Sequence, residues 1–309
     1  MDGREPDDIG AHGQPVEGSQ PVERRSPAAV FKLLASETRV EILEALGDPP
    51  GTTRSFSALF DAVEMRDSGN FTYHLNELLG TFVRKQDEEY RLTHAGEQVV
   101  GSIHAGTYTT EAAIESTRTG DTCQLCGGAL VFEYADETAR VYCEDCGKGR
   151  TFSFPPGCLS EYDSGELPAV SARWYRTHVQ RILDGFCPLC AGRMAGELSR
   201  GVRTDRTPPE PALATFECER CGNVRTVSAA TIATFHPVVE GFLFEHGFDP
   251  REGPHSTVWE ELDDSAERER STDPLTVEVA FTHGGETVVT TVGPDATVTS
   301  VQRKSATRD

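Results

Sequence analysis

The sequence predicts an α+β fold shared among several domains. Three observations lead to it. Apolar residues recur at helical spacing from Pro27 to Ile103, interrupted once by a short alternating stretch around an acidic turn. Eight of the nine cysteines fall in four Cys-x-x-Cys pairs. Three β-rich runs separated by glycine turns lie between Leu275 and Val301.

At 309 residues the chain has room for two or three domains of about 150 residues or fewer. It carries 29 Lys+Arg against 50 Asp+Glu, a net charge of −21. That balance argues against nonspecific attraction to polyanions, and no apolar run reaches the ~18 residues of a membrane span. Only Lys32, Lys85, Lys148 and Lys304 are lysines; the other basic residues are arginines. A lysine-poor, carboxylate-dense surface suits a cytosol of molar salt, where the acids stay hydrated and their repulsion is screened. Met1 to Ser26 has no apolar core of a secretory signal, so the expected compartment is the cytoplasm. In that reducing setting paired cysteines point to metal rather than to disulfides.

Residues 1–25 are polar, rich in Pro and Gly and without periodicity, and read as a disordered tail. The first domain is expected over 26–104. Ser26-Pro27 opens one helix, and Ser36-Glu37 opens another whose Val40, Leu43 and Leu46 share a face before Gly47 and Pro49-Pro50 stop it. A third helix runs Ser57–Val63 and a fourth Asn70–Leu79, with Phe71, Leu75 and Leu78 as its buried stripe. Phe82–Gln86 and Tyr90–Thr93 flank the acids Asp87-Glu88-Glu89 as a hairpin, and Thr93 caps a last helix through Ile103. The order of helices and hairpin is that of a winged helix-turn-helix. Residues 105–121 are expected to continue as a helical linker.

Cys123/Cys126 and Cys143/Cys146 are separated by 16 residues that contain a hairpin, Val131–Tyr134 with Arg140–Tyr142. Cys187/Cys190 and Cys218/Cys221 repeat the plan across 27 residues. Each half is followed by a helix, Leu167–Leu183 in the first and Pro237–His246 in the second, which suggests an internal duplication over 122–186 and 187–250. A Cys-x-x-Cys turn aims two thiolates at one point, and two such turns joined by a hairpin make the tetrahedral sulfur set of a zinc ribbon. Two structural zinc ions are expected, one on Cys123, Cys126, Cys143 and Cys146 and one on Cys187, Cys190, Cys218 and Cys221. Gly127, Gly147 and Gly222 follow the knuckles directly, while Gly192 comes one residue later, after Ala191; glycine there allows a left-handed turn that aims N–H groups at sulfur. Four thiolates leave no coordination position for a substrate. Neither a deaminase, Walker, nucleophile-elbow nor zinc-protease motif is present, so no enzyme is expected. Cys158 has no partner and reads as a small packing residue. Residues 251–273 form an acidic linker, and 274–304 a three-stranded antiparallel meander that should pack on the ribbons.

On the fourth helix, Asn70, Thr72, Tyr73 and Asn76 lie opposite the apolar stripe, as residues that read base edges must. The segments Phe31–Leu43, Asn70–Leu78 and Tyr90–Gly96 closely resemble the opening, the recognition helix and the wing-to-helix junction of ArsR-like winged-helix transcriptional regulators. With two cysteine-rich units behind it, the architecture resembles regulators of salt-loving archaea. The resemblance covers about residues 27–104. It implies a homodimer on double-stranded DNA, base or phosphate contacts from Thr72 and Tyr73, then Asn70 and Asn76, and phosphate contacts from Arg54, Arg84, Lys85 and Arg91. Residues Ser57 to Met65 lack the cysteines of the family's metal sensors, and the last helix offers only His94, Glu97 and His104, so metal-responsive release is not expected. Residues 27–103 carry seven basic against twelve acidic residues. That net −5 keeps open an alternative in which the winged helix docks on transcription machinery instead of reading DNA. The ribbon region is expected to contact a protein, a ligand or its dimer mate.

Overall fold

The computed structural model describes residues 25–123, 126–147, 149–200, 212–249 and 264–305. Apart from Arg25, the expected tail lies outside them, as do residues 251–263 of the expected acidic linker. The fold mixes α-helices with antiparallel sheets, and the described residues divide into two compact units, those of 25–112 with 155–161, and those of 113–154 with 162–305.

The first unit runs α1 (Pro27–Leu33), α2 (Glu37–Gly47), β1 (Arg54–Ser55), α3 (Phe56–Ala62), α4 (Ser68–Leu78), β2 (Val83–Gln86), β3 (Glu89–Leu92) and α5 (His94–His104). α4 starts earlier than the apolar pattern suggests because Asp67 accepts hydrogen bonds from the N–H groups of Gly69 and Asn70. Thr93 caps α5 as expected, accepting from Gly96 N–H while its own hydroxyl donates to the Thr81 carbonyl. Ile42, Leu43, Leu46, Leu59, Phe71, Leu75, Leu78 and Val83 are buried in one core. Burying each contributes about 1.5–3 kcal/mol relative to exposure. The strands pair antiparallel in the order β1-β3-β2, with Val83 opposite Leu92 and Arg84 opposite Arg91. Asp87 and Glu88 alone make the turn, both at positive φ (49° and 66°), the backbone of a two-residue type I′ hairpin. The 3₁₀ turn Pro156–Ser160 joins this unit, its Gly157 N–H donating to the Ala105 carbonyl at 2.9 Å.

The second unit opens with β4 (Ile114–Thr122), β5 (Ala129–Ala135), β6 (Thr138–Cys143) and β7 (Gly149–Ser153), an antiparallel sheet in chain order. The helical linker expected over 105–121 is therefore corrected. Its last part is a strand, because Ile114 to Thr122 carries three β-branched threonines and finds a partner in β5. α6 (Leu167–Leu183) follows, then β8 (Met194–Ser199), β9 (Leu213–Cys218) and β10 (Val224–Ser228), paired in the order β10-β9-β8. α7 (Ala229–Thr234) and α8 (Pro237–Glu245) precede β11 (Asp264–Thr272), β12 (Leu275–His283), β13 (Glu286–Val292) and β14 (Val298–Ser305), again in chain order. The expected linker is corrected over 264–272, which forms β11 and makes the meander four-stranded. That strand has no apolar alternation; Arg268 and Arg270 instead pair with Glu278 of β12, at 2.6 and 3.1 Å.

One apolar cluster joins Val179 and Ile182 of α6, Ala214 and Phe216 of β9, Phe242 and Leu243 of α8, and Val279, Phe281, Val288 and Val292 of the last sheet. Trp174 and Tyr175 of α6 reach the first sheet instead, through ring contacts to Phe154 and Phe152 and a Trp174 Nε1–H bond to the Ser153 carbonyl. Arg176 ties α6 to α8 through Glu240.

Candidate metal centres and a candidate nucleic-acid interface

Two β-hairpins of the second unit, β5–β6 and β8–β9, each bring two Cys-x-x-Cys turns together. Cys123 and Cys126 precede β5, Cys143 ends β6 and Cys146 follows; Cys187 and Cys190 precede β8, Cys218 ends β9 and Cys221 follows. In both sets the four sulfurs lie within 4.8 Å of one another. Sulfurs meet across the turns: Cys123 to Cys146 at 3.7 Å, Cys126 to Cys143 at 3.4 Å, Cys187 to Cys221 at 3.7 Å and Cys190 to Cys218 at 3.5 Å. A tetrahedron with arms of ~2.3 Å has an edge of about 3.8 Å, so the sulfur cages fit a tetrahedral thiolate-bound ion. None of the cysteines is in a disulfide.

The backbone of the two sets is nearly superposable in its hydrogen bonds. Gly127, Gly147, Ala191 and Gly222 each donate N–H to the carbonyl of the knuckle's first cysteine, at 2.7 to 3.0 Å, and each has positive φ. The left-handed residue of the third knuckle is therefore Ala191, at φ 53°, and not Gly192 as the spacing suggests. Gly192 is needed for another reason: a Cβ there would lie 2.8 Å from Arg220 Cβ and 3.0 Å from Cys218 Sγ. Asn223 Nδ2 adds a donor toward Cys187 Sγ at 3.6 Å, a supporting contact not identified from the sequence. The only trace of it there is an asparagine two residues past a knuckle.

Four adjacent thiols divide their protons unequally. Burial raises Cys187, but N–H groups of Cys190 and Leu189 and the thiols of Cys221 and Cys218 outweigh it and hold the group down to about 6. Cys143 is held down to about 7 in the same way, burial being overcome by N–H groups of Cys146 and Asp145 and by neighbouring thiols. For Cys126 the Gly128 N–H lowers, yet the thiol of Cys143, burial and the remaining thiols push it up to about 12. Cys221 reaches about 12 likewise, the Asn223 N–H being outweighed. Cys158 stands apart, half-buried in the 3₁₀ turn, its thiol raised by burial and then by Glu161.

In the first unit, α4 turns Phe71, Leu75 and Leu78 inward and leaves Asn70, Thr72, Tyr73 and Asn76 exposed. Tyr73 is 57% exposed, its ring edge-on to His74. Thr72 donates its hydroxyl to the Ser68 carbonyl at 2.7 Å, which leaves the oxygen able to accept. The basic residues are less free. Arg54 gives Nε to the Ala45 carbonyl at 2.8 Å and Nη2 to the Asp48 carbonyl at 2.9 Å, which closes the C-terminal end of α2. Lys85 bonds Glu88 at 2.8 Å, and its pKa is raised first by that bond. Arg84 is exposed, and Arg91 gives Nη2 to Gln86.

Comparison with known families agrees with the division into units. Residues 27–103 match the family described as Domain of unknown function (DUF7347), and residues 120–298 match Domain of unknown function (DUF7351). The second match spans more than half of the chain. The chain belongs to the DUF7351 family. The DUF7351 segment contains both cysteine cages and the strands that build them. No curated protein matches the chain. Among solved structures, the Bacillus megaterium YpeB C-terminal domain aligns over 69% of this chain and 97% of its own, with 8% identity and a TM-score of 0.17, a level that carries no information about shared fold. Among the described residues no helix is long and apolar enough to cross a membrane.

Proposed function

We propose that this chain is a DNA-binding transcriptional regulator: an ArsR-like winged helix-turn-helix that works as a dimer, joined to two structural zinc ribbons. The observation that carries the reading is the exposed face of α4. Asn70, Thr72, Tyr73 and Asn76 stand out on a helix capped by Asp67 and followed directly by a two-residue hairpin. Hydroxyl, amide and phenol groups on one exposed face can meet base edges and phosphates together.

The DUF7351 cages support zinc by their chemistry. An all-sulfur tetrahedral donor set suits a soft d¹⁰ ion, and with four thiolates per site the ion supplies cross-linking and no open position for catalysis. Cys123, Cys126, Cys143 and Cys146 would hold one ion, and Cys187, Cys190, Cys218 and Cys221 the other. Backbone N–H groups beside Cys143 and Cys187 favour the thiolates that such an ion requires.

A second reading, a winged unit that docks on other proteins, is favoured by one contact: Lys85, expected at the DNA backbone, is neutralised by Glu88. Binding of the full chain to its own upstream DNA and to scrambled DNA in about 2 M KCl separates the two, since counterion release contributes little there. Preferential binding lost in a Thr72→Ala/Tyr73→Ala variant is the expected result. Equal or absent binding to both DNAs would sink the regulator reading in favour of docking.

A further inference from the structure

The first unit contains a groove of about 380 Å³ whose lining includes two of the arginines expected at DNA phosphates, Arg84 and Arg91. Leu46, Leu92 and Val100 give it an apolar floor, and Thr52, Glu97 and His104 stand at its edge together with Arg84 and Arg91. Apolar surface dominates its lining, and its volume lies at the low end of the range of small-molecule sites.

Three features point to the ligand's chemistry. Arg84 and Arg91 face each other across β2 and β3, an arrangement of like charges that costs stability unless an anion lies between them. Gln86 takes Nη2 of Arg91, while the Nε atom of the same guanidinium is buried without a hydrogen-bond partner. Gly101 sits inside α5, where glycine costs about 1 kcal/mol relative to alanine. A Cβ there would meet nothing within 4 Å, so packing does not require the glycine, and its effect is to keep the groove open.

We propose that this groove binds a small organic carboxylate, its acid group held by Arg84 and Arg91 and its apolar body lying on Leu46, Leu92 and Val100. Guanidinium groups match a carboxylate bidentately, and the floor excludes water from the remainder. A bound carboxylate also occupies donors that would otherwise meet DNA phosphates, so it weakens operator binding; this second part rests on the regulator reading above.

The first part is tested without DNA. Calorimetry on the full chain, in the same salt as the DNA-binding assay, uses acetate, hexanoate, benzoate and phenylacetate, with inorganic phosphate as the anion lacking an apolar body. The expected result is that at least one of the larger carboxylates binds more tightly than acetate and phosphate. A Gly101→Leu variant, which fills the groove, and an Arg84→Gln/Arg91→Gln variant should each lose that binding at least tenfold while melting no lower than wild type. No binding at 5 mM, phosphate binding as tightly as the best carboxylate, or binding that survives Gly101→Leu overturns the site. The second part expects the best carboxylate to weaken DNA binding at least fivefold in wild type and not in Gly101→Leu; an unchanged DNA affinity overturns it. Absence of any DNA binding removes the second part together with the regulator reading and leaves the calorimetric result standing by itself.

Discussion

Gly96 of α5 lies against the backbone carbonyl of Phe82, so close that a Cβ on residue 96 would come within 2.3 Å of the oxygen. The same carbonyl accepts the N–H of Thr93 at 2.9 Å, and Thr93 caps the helix on which Gly96 sits. The junction between hairpin and last helix therefore turns on one carbonyl that must be reached from two sides. Gly96→Ala is expected to destabilise the first unit by about 3 kcal/mol, the upper end of overpacking costs. Denaturant unfolding followed by a probe in residues 27–104 would measure this, with metal content unchanged; a loss below about 1 kcal/mol would contradict the packing described.

At the third cysteine knuckle, neighbouring residues should respond in opposite ways. Ala191→Gly relieves a left-handed alanine and is expected to be neutral or to stabilise by up to about 1 kcal/mol. Gly192→Ala pushes a methyl toward Cys218 Sγ and Arg220. It should lower metal stoichiometry from two ions to one per chain. Elemental analysis of both purified variants gives the answer, and full occupancy in Gly192→Ala would show that the cage yields more than its geometry allows.

Arg54 should behave as a structural residue. Two charge-assisted bonds to carbonyls of the α2 end are worth roughly 1.5–3 kcal/mol each at most, so Arg54→Leu is expected to cost 1–3 kcal/mol, about one such bond net of its replacement. Arg84→Gln, by contrast, should leave the melting temperature within a degree or two. Thermal scans of the two variants side by side test the contrast.

The hairpin tip holds its own brake on anion contacts. Asp87→Asn/Glu88→Gly retains the type I′ turn, removes two negative charges and releases Lys85 from Glu88. If the unit reads DNA, affinity in moderate salt should rise several-fold with no loss of stability. A flat response would favour the docking alternative.

His178 of α6 provides a pH signature. Burial lowers its pKa, the Trp174 carbonyl opposes that, and Arg181 and Arg225 lower it further. A histidine depressed in the folded state contributes stability that is complete above its ordinary value of about 6.5 and is lost as pH falls through the folded value. His178→Gln should flatten the melting temperature of the second unit over the range just below pH 6.5. Parallel pH dependence in variant and wild type would assign the acid sensitivity elsewhere.

The helices of the first unit were legible because they carry apolar stripes and start or stop signals, Pro27 and Thr93 at beginnings and Pro49-Pro50 after an end, although the Asp67 cap that starts α4 two residues early was read as part of a turn. The cages were legible because a metal knuckle compresses its geometry into four residues. What stayed hidden was structure held by partners distant in sequence. β11 reads as a charged linker until Glu278 is placed opposite Arg268 and Arg270, and Ile114–Thr122 is a strand only because β5 is there to receive it. The α7 segment, Ala229–Thr234, is too short to show helical periodicity at all. At the candidate interface, exposure of Asn70, Thr72, Tyr73 and Asn76 followed from periodicity, whereas the engagement of Arg54 and Lys85 depended on neighbours no local pattern reveals.

The two sulfur cages differ in where they are rooted. Cys187 and Cys218 belong to the apolar cluster that joins α6, α8 and the last sheet, while Cys123 and Cys143, though buried, lie outside it. Demetallation is thus not one event repeated. Stripping the first cage loosens a local clasp at the margin of a sheet; stripping the second withdraws a keystone from the interior, so the chain should surrender its first ion to a chelator while still folded and its second only as that core comes apart.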